Sequence, residues 1–371
     1  MKNNFKLFAL CSILFAFACQ PKEEAPKIPK NVILLISDGT GLSQISSAYY
    51  FKGEEPNYSR FQEIGFIKTS SSKQDVTDSA AGATAFASGV KTYNGAIGVT
   101  PDSTSVPTIV ELVQDKNIKT GVVATSTIQH ATPAAFYAHE VSRSYYEAIT
   151  EDLYNSDIDY FAGGGLKFFT QRKDSVNLYQ KMEEKGFLMS TEKLATSEEL
   201  KEVSKAGFLL ADDAMPKMQE DRGDFLPNAT QLGIDFLQND NGFFLMVEGS
   251  QIDWAGHAND GEYTVAELLD FDNVIGKALD FAEKDKNTLV VVVSDHETGG
   301  FTLSSTRRQL HDGVEYNDYS KVDFAFSTGG HSATLIPVFA FGPGAEEFKG
   351  IYENNDIFHK IMEVTKWRSK K

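Results

Sequence analysis

From Asn31 onward, apolar runs of strand length alternate with segments of helical spacing. The clear strand runs are NVILLIS (31–37), KTGVVATS (119–126), GFFLMVEG (242–249), TLVVVVSD (288–295) and TLIPVFAFG (334–342). Each is apolar along its whole length, the pattern of strands whose two faces are both covered. GEYTVAELLDFDNVIGKALDFAEK (261–284) returns its apolar residues at helical spacing and reads as one long amphipathic helix. Strands alternating with helices predict an α/β fold, a three-layer sandwich with a central, mainly parallel β-sheet flanked by helices. Residues 140–230 are less regular and richer in charge; they read as a helical insertion at about 145–225 plus short elements.

The polar residues that end these strands matter more than the strands themselves. The first run ends in Asp38, the third in Glu248, with Asp253 and His257 just beyond, and the fourth in Asp295 and His296. Sites in open parallel sheets form at the carboxyl ends of strands. Several carboxylates around one crevice are strongly unfavourable without cations, so bound metal is the economical explanation. Taken singly each segment is weak: Asp and His four apart occur on solvated surfaces, and Asp-His after a strand can be a polar loop start. Together they are stronger, because His257, His296 and His331 all sit at such junctions and the chain has only seven histidines.

The segment DVTDSAAGATAFASGVKTYNGAIG (75–98) adds a candidate nucleophile, Ser79, preceded by Asp78 and followed by small residues. No histidine lies near it in the sequence, so a serine base is not evident. Metal coordination activates a hydroxyl without one. The bland reading of Ser79 is an ordinary helix start beside Asp78.

Composition narrows the partners. Lys plus Arg number 35 against 52 Asp plus Glu, a net charge of −17. That excludes a general nucleic-acid binder and disfavours long-range steering of anions, leaving bound cations to reverse the field locally. The N-terminus, MKNNFK followed by LFALCSILFAFA, is a basic start and an apolar core too short to span a bilayer: a signal peptide, residues 1–18. AFAC fits an A-x-A cleavage site and, better, a lipobox with Cys19 acylated; QPKEEAPKIPK then forms a tether, 19–30, before a single domain, 31–371. The expected location is the periplasm or an outer membrane, with membrane contact only through Cys19. With Cys11 in the leader, no internal disulfide is possible.

DGTGLSQ, VTDSAAGATAFASGVKTYNGAIGV, HATPAAFYAH with its following SR, VEGSQIDWAGH, SDHETGGF and GGHSAT together resemble the ordered motifs of bacterial alkaline phosphatases, nearest to the compact cold-adapted type. The resemblance implies that fold, phosphomonoester hydrolysis through a phosphoserine at Ser79, and two Zn2+ and one Mg2+ per chain. It assigns Asp253, His257 and His331 to one zinc, and Asp38, Asp295 and His296 to the other. Asp38, Thr132 and Glu248 would hold magnesium, and Arg143 would grip the phosphate of diverse small phosphomonoesters. It also implies a homodimer. Two positions depart from the best-studied pattern: His130 stands where an Asp is common, and Trp254 where a Lys or His often contacts phosphate through water. These imply weaker phosphate retention and a third site that imidazole could turn toward zinc. The alternatives are a phosphodiesterase of the same superfamily, which usually lacks the Arg143 grip and the third metal, and a non-catalytic exported phosphate- or metal-binding lipoprotein, which would have lost a nucleophile or ligand.

Overall fold

A computed structural model describes residues 27–367. The leader, Cys19 and most of the tether lie outside the described residues. Strands and helices are numbered along the chain. One ten-stranded sheet runs in the spatial order β14 (Gly350–Glu353), β2 (Glu63–Lys68), β13 (Ile336–Phe341), β8 (Thr288–Val293), β1 (Asn31–Ser37), β7 (Phe243–Gly249), β3 (Lys119–Thr127), β4 (Tyr160–Gly164), β6 (Lys205–Leu209), β5 (Phe187–Ser190). Neighbours pair in parallel except at β13, which runs antiparallel to both β2 and β8. Every residue of β1, β7 and β8 is buried, as their unbroken apolar runs predict.

Alternate residues of these strands feed two cores. Val32, Leu34 and Ile36 pack under α2 (Ser79–Ser88), α3 (Ile109–Gln114), α4 (Ala131–Ala134), α5 (Tyr146–Asn155), α6 (Lys167–Thr170), α7 (Leu178–Glu184) and α11 (Asp356–Thr365). Ile33 and Leu35 pack under α1 (Leu42–Phe51), α8 (Phe225–Leu237), α9 (Gln251–Ala258) and α10 (Gly261–Asp285). The result is the three-layer α/β/α arrangement. Helix α10 matches the long amphipathic helix read from the pattern; Asp260 caps it by accepting from the Tyr263 N–H at 3.0 Å.

The stretch read as a helical insertion is corrected in one respect. It holds α5, α6 and α7, but also β4, β5 and β6, which complete one flank of the main sheet. These strands are four or five residues long, and two carry glycine, as in YFAGG and KAGFL. Their strand conformation comes from pairing with β3 and with each other, not from an apolar run.

Beyond β8 the chain makes short ribbons. β9 (Glu297–Thr298) pairs with β12 (His331–Ser332), and β10 (Thr302–Gln309) with β11 (Glu315–Ala325). The first ribbon lies at the carboxyl ends of β1, β7 and β8. There Ile36 registers with Glu248 on one side and Val293 on the other, so Asp38, Glu248 and Asp295 emerge side by side.

Candidate metal centre and nucleophile

Ser79 is the first residue of α2 and is 2% exposed. Asp78 caps the helix, accepting from the Ala81 N–H at 3.0 Å. All ten residues of α2 are buried, which explains why the sequence is so small there: the helix is packed on every side. At Gly82 an added Cβ would meet the Cβ of Asp295 at 2.8 Å, so any side chain would push the helix off the end of β8.

No histidine neighbours Ser79 in the sequence, yet the fold sets His296 Nε2 3.3 Å from Ser79 Oγ. This is not the serine–histidine pair of an acyl-transfer triad. His296 Nδ1 faces the Thr298 hydroxyl at 3.3 Å, where a triad histidine would meet a carboxylate directly. Nε2 instead looks at Asp295 Oδ2 at 3.2 Å and Asp38 Oδ1 at 3.6 Å. Burial first, and the neighbouring His331 second, push the His296 pKa down to about 3, so the ring is neutral and has a lone pair to offer.

A second convergence lies beside it. Asp253 and His257 sit one turn apart on α9, and His331 comes from β12. His257 Nε2 and His331 Nε2 are 3.2 Å apart, and Asp253 Oδ1 is 3.4 Å and 3.6 Å from them. Each ring is turned by a backbone carbonyl on its Nδ1, Gly329 for His257 at 2.7 Å and Thr77 for His331 at 2.8 Å. Orienting contacts on the far nitrogen are what metal-ligating imidazoles need.

The third convergence joins Asp38 to Glu248 and His130, with Thr132 two residues on in α4. Both oxygens of Asp38, one each of Glu248 and Asp295, the Thr132 hydroxyl and His130 Nδ1 are buried without a hydrogen-bond partner among the described residues. In folded proteins the large majority of buried polar groups are paired, and among the described residues the buried charged oxygens without a hydrogen-bond partner are the ones that face this crevice. Burial first, and then the charges of Asp295, Asp253 and Glu248, hold the Asp38 pKa well above the usual carboxylate range. Burial raises Glu248 to about 7 and also lifts Asp295. Unpaired carboxylates facing one crevice fit metal cations, which would neutralise them. Imidazole with carboxylate suits zinc, and the oxygens of Asp38, Thr132 and Glu248 suit magnesium. Asp253 also lies within reach of Asp38 and His296, but its Oδ1 is engaged by Thr298 and faces His257 and His331.

Arg143 stands at the mouth, its backbone N–H held by Gly95 at 2.7 Å. Nη1 donates to Asp78 Oδ2 at 2.9 Å and Nη2 to His130 Nε2 at 3.3 Å. Burial pulls the guanidinium pKa down, and the charge and hydrogen bond of Asp78 more than offset it. Burial and the Arg143 charge push His130 down to about 3, leaving its Nε2 free to accept. The Trp254 indole meets the His130 ring edge-on, centroids 5.9 Å apart.

All twelve residues singled out from the sequence therefore gather at one end of the sheet. Three others belong with them. Asp78, which the sequence shows only as the acid before Ser79, caps α2 and holds Arg143. Thr298 donates to Asp253 Oδ1 at 2.5 Å, and Ser126 to Glu248 Oε2 at 3.3 Å. Position beside Ser79 and inside SDHETGGF was the only signal for the first two; Ser126 had none.

Comparisons with known proteins agree with this geometry. The family model described as alkaline phosphatase matches residues 29–314. The chain is 33% identical to alkaline phosphatase 3 of Bacillus subtilis (strain 168), over 99% of this chain and 95% of that one. It is 30% identical to the alkaline phosphatase of Escherichia coli (strain K12), over 90% and 86%. Among solved structures, the alkaline phosphatase of the Antarctic bacterium TAB5 is 59% identical, with a TM-score of 0.90 over 93% of this chain and all of that one. A variant of that enzyme with a histidine replaced by aspartate, described with Mg in its M3 site, is 60% identical with a TM-score of 0.92 over the same shares.

Proposed function

The chain belongs to the alkaline phosphatase family and is a phosphomonoester hydrolase, and we propose that Ser79 is its nucleophile, Arg143 its phosphate grip and the strand-end cluster its metal centre. Asp253, His257 and His331 would hold one zinc, and Asp38, Asp295 and His296 a second. Asp38, Thr132 and Glu248 would hold magnesium, with His130 at its edge. When bound, the metals neutralise the crevice carboxylates, lower the pKa of a coordinated hydroxyl and take up charge on the departing oxygen. Ser79 Oγ gives up its proton to solvent and bonds to phosphorus while the ester oxygen leaves with the bonding pair and takes a proton from water, giving a phosphoserine and the free alcohol. Water then displaces Ser79 from phosphorus and releases inorganic phosphate. Two N–H groups of Arg143 meet two phosphate oxygens, and Asp78 keeps the guanidinium aimed. The α2 N-terminus adds its backbone dipole to the same anion. Such contacts reach only the phosphoryl group, so diverse phosphomonoesters are substrates.

The observation that carries this reading is Ser79 Oγ 3.3 Å from His296 Nε2, in a crevice where both oxygens of Asp38 and one each of Glu248 and Asp295 are buried without a hydrogen-bond partner among the described residues. We further propose export behind the 1–18 leader, a lipid anchor on Cys19 with a 19–30 tether, one catalytic domain over 31–371, and a homodimer. The test is p-nitrophenyl phosphate hydrolysis from about pH 7 to about pH 11 with zinc and magnesium, beside Ser79→Ala and a chelator-treated sample. Alkaline activity lost on chelation, and lost on the order of a thousandfold or more in the variant, is the expected result. A folded, zinc-loaded protein without monoesterase activity overturns it.

A further inference from the structure

Glu297 follows the proposed ligand His296 but turns away from the crevice, and it belongs to none of the three ligand groups. It is 4% exposed. Its Oε1 accepts from Gln44 Nε2 at 2.9 Å and from the Phe301 N–H at 2.9 Å, and its Oε2 accepts from the Ser332 hydroxyl. These donors are neutral, and among the described residues no cation pairs with Glu297. A buried carboxylate held only by neutral donors gives no gain in stability over a well-packed apolar group, so a positional role is the better reason for it.

The three partners lie on three different segments. Gln44 lies in the first turn of α1, six residues after Asp38, and its own amide closes the loop between them by accepting from Gly41 N–H at 3.1 Å and donating to the Thr298 carbonyl at 3.1 Å. Gly41 packs so closely that a Cβ there would meet Glu297 Cγ at 2.6 Å. Ser332 follows His331 and sits directly opposite Glu297 in the β9–β12 ribbon, where His331 pairs with Thr298. Glu297 thus ties together the segments that carry Asp38, Asp295 with His296, and His331.

We propose that Glu297 is a positioning residue for the metal centre: its carboxylate fixes the register of these three segments and so sets how tightly the paired zinc sites hold their ions. The inference rests on the proposed ligand assignment. Metal-free wild type, Glu297→Asp and Glu297→Gln are titrated with zinc against a chromophoric chelator, with no substrate present, and the melting of each metal-free protein is followed alongside. Glu297→Asp keeps the charge and loses the reach, so it separates position from electrostatics. Both variants are expected to lose roughly tenfold in zinc affinity while melting cooperatively without metal. Glu297→Asp binding zinc as tightly as wild type overturns the inference and leaves the ligand assignment standing. Wild type that takes up no zinc overturns the assignment, and the inference with it. Should neither Glu297 variant fold, Ser332→Ala decides: severalfold weaker zinc binding supports the clamp, and unchanged binding overturns it.

Discussion

Asp78 is a single carboxylate with two tasks. One oxygen caps α2 under the nucleophile, and the other receives Arg143 and the Gly95 N–H. Its neighbour in the sequence was legible as chemistry while Asp78 was not, because a helix cap and a positioning carboxylate look the same in a string of letters. The ligands were legible for the opposite reason. Asp38, Glu248, Asp295 and His296 end apolar runs, where a charged side chain has no packing role. Trp254 illustrates what a motif cannot specify, since its indole rests edge-on against His130. A lysine there would add a cation beside the phosphate site. Trp254→Lys is expected to tighten inhibition by inorganic phosphate about three- to tenfold. Product-inhibition constants measured side by side check this, and equal constants would remove Trp254 from phosphate retention.

Among the elements, the long parallel strands and α10 followed directly from pattern, to within a residue or two. β4, β5 and β6 did not, because they are short, and β4 and β6 carry glycines that are held in the sheet by their strand neighbours, β3 and β6 for β4 and β4 and β5 for β6. Helix α2 shows sequence and packing meeting most tightly. Its smallness reflects the contact between Gly82 and Asp295. Gly82→Ala sets a helix-propensity gain of about 1 kcal/mol against an overpacking cost of roughly 1–3 kcal/mol at a proposed ligand. The cost is expected to win, with lower zinc content and a lower melting temperature. A more stable variant with full zinc content would mean that the helix does not brace the metal site.

For the molecule as a whole, the −17 charge opposes anionic substrates at long range, so capture depends on the local cations of the crevice. The pH response of stability has a separate source outside the metal centre. His139 joins the Gly98 carbonyl at 2.7 Å to Glu111 at 3.0 Å. The hydrogen bond to Glu111 raises its pKa above the ordinary 6.5, against the opposing pull of burial. A raised histidine stabilises the fold fully below its unfolded pKa and loses that contribution as pH climbs through the folded one. At alkaline pH the pair is therefore spent. His139→Gln is expected to lower the melting temperature more near pH 6 than near pH 9, with the difference worth within roughly a kcal/mol. Equal losses at both pH values would show that the contact acts through its neutral form.

The most direct test of the central claim is to quench the enzyme in acid during turnover of a phosphomonoester and map the modified peptide. A metal-activated serine predicts one phosphoryl group on the peptide that carries Ser79, absent in Ser79→Ala and after metal removal. Full turnover with Ser79 never labelled, or a Ser79→Ala enzyme as active as wild type, would contradict it.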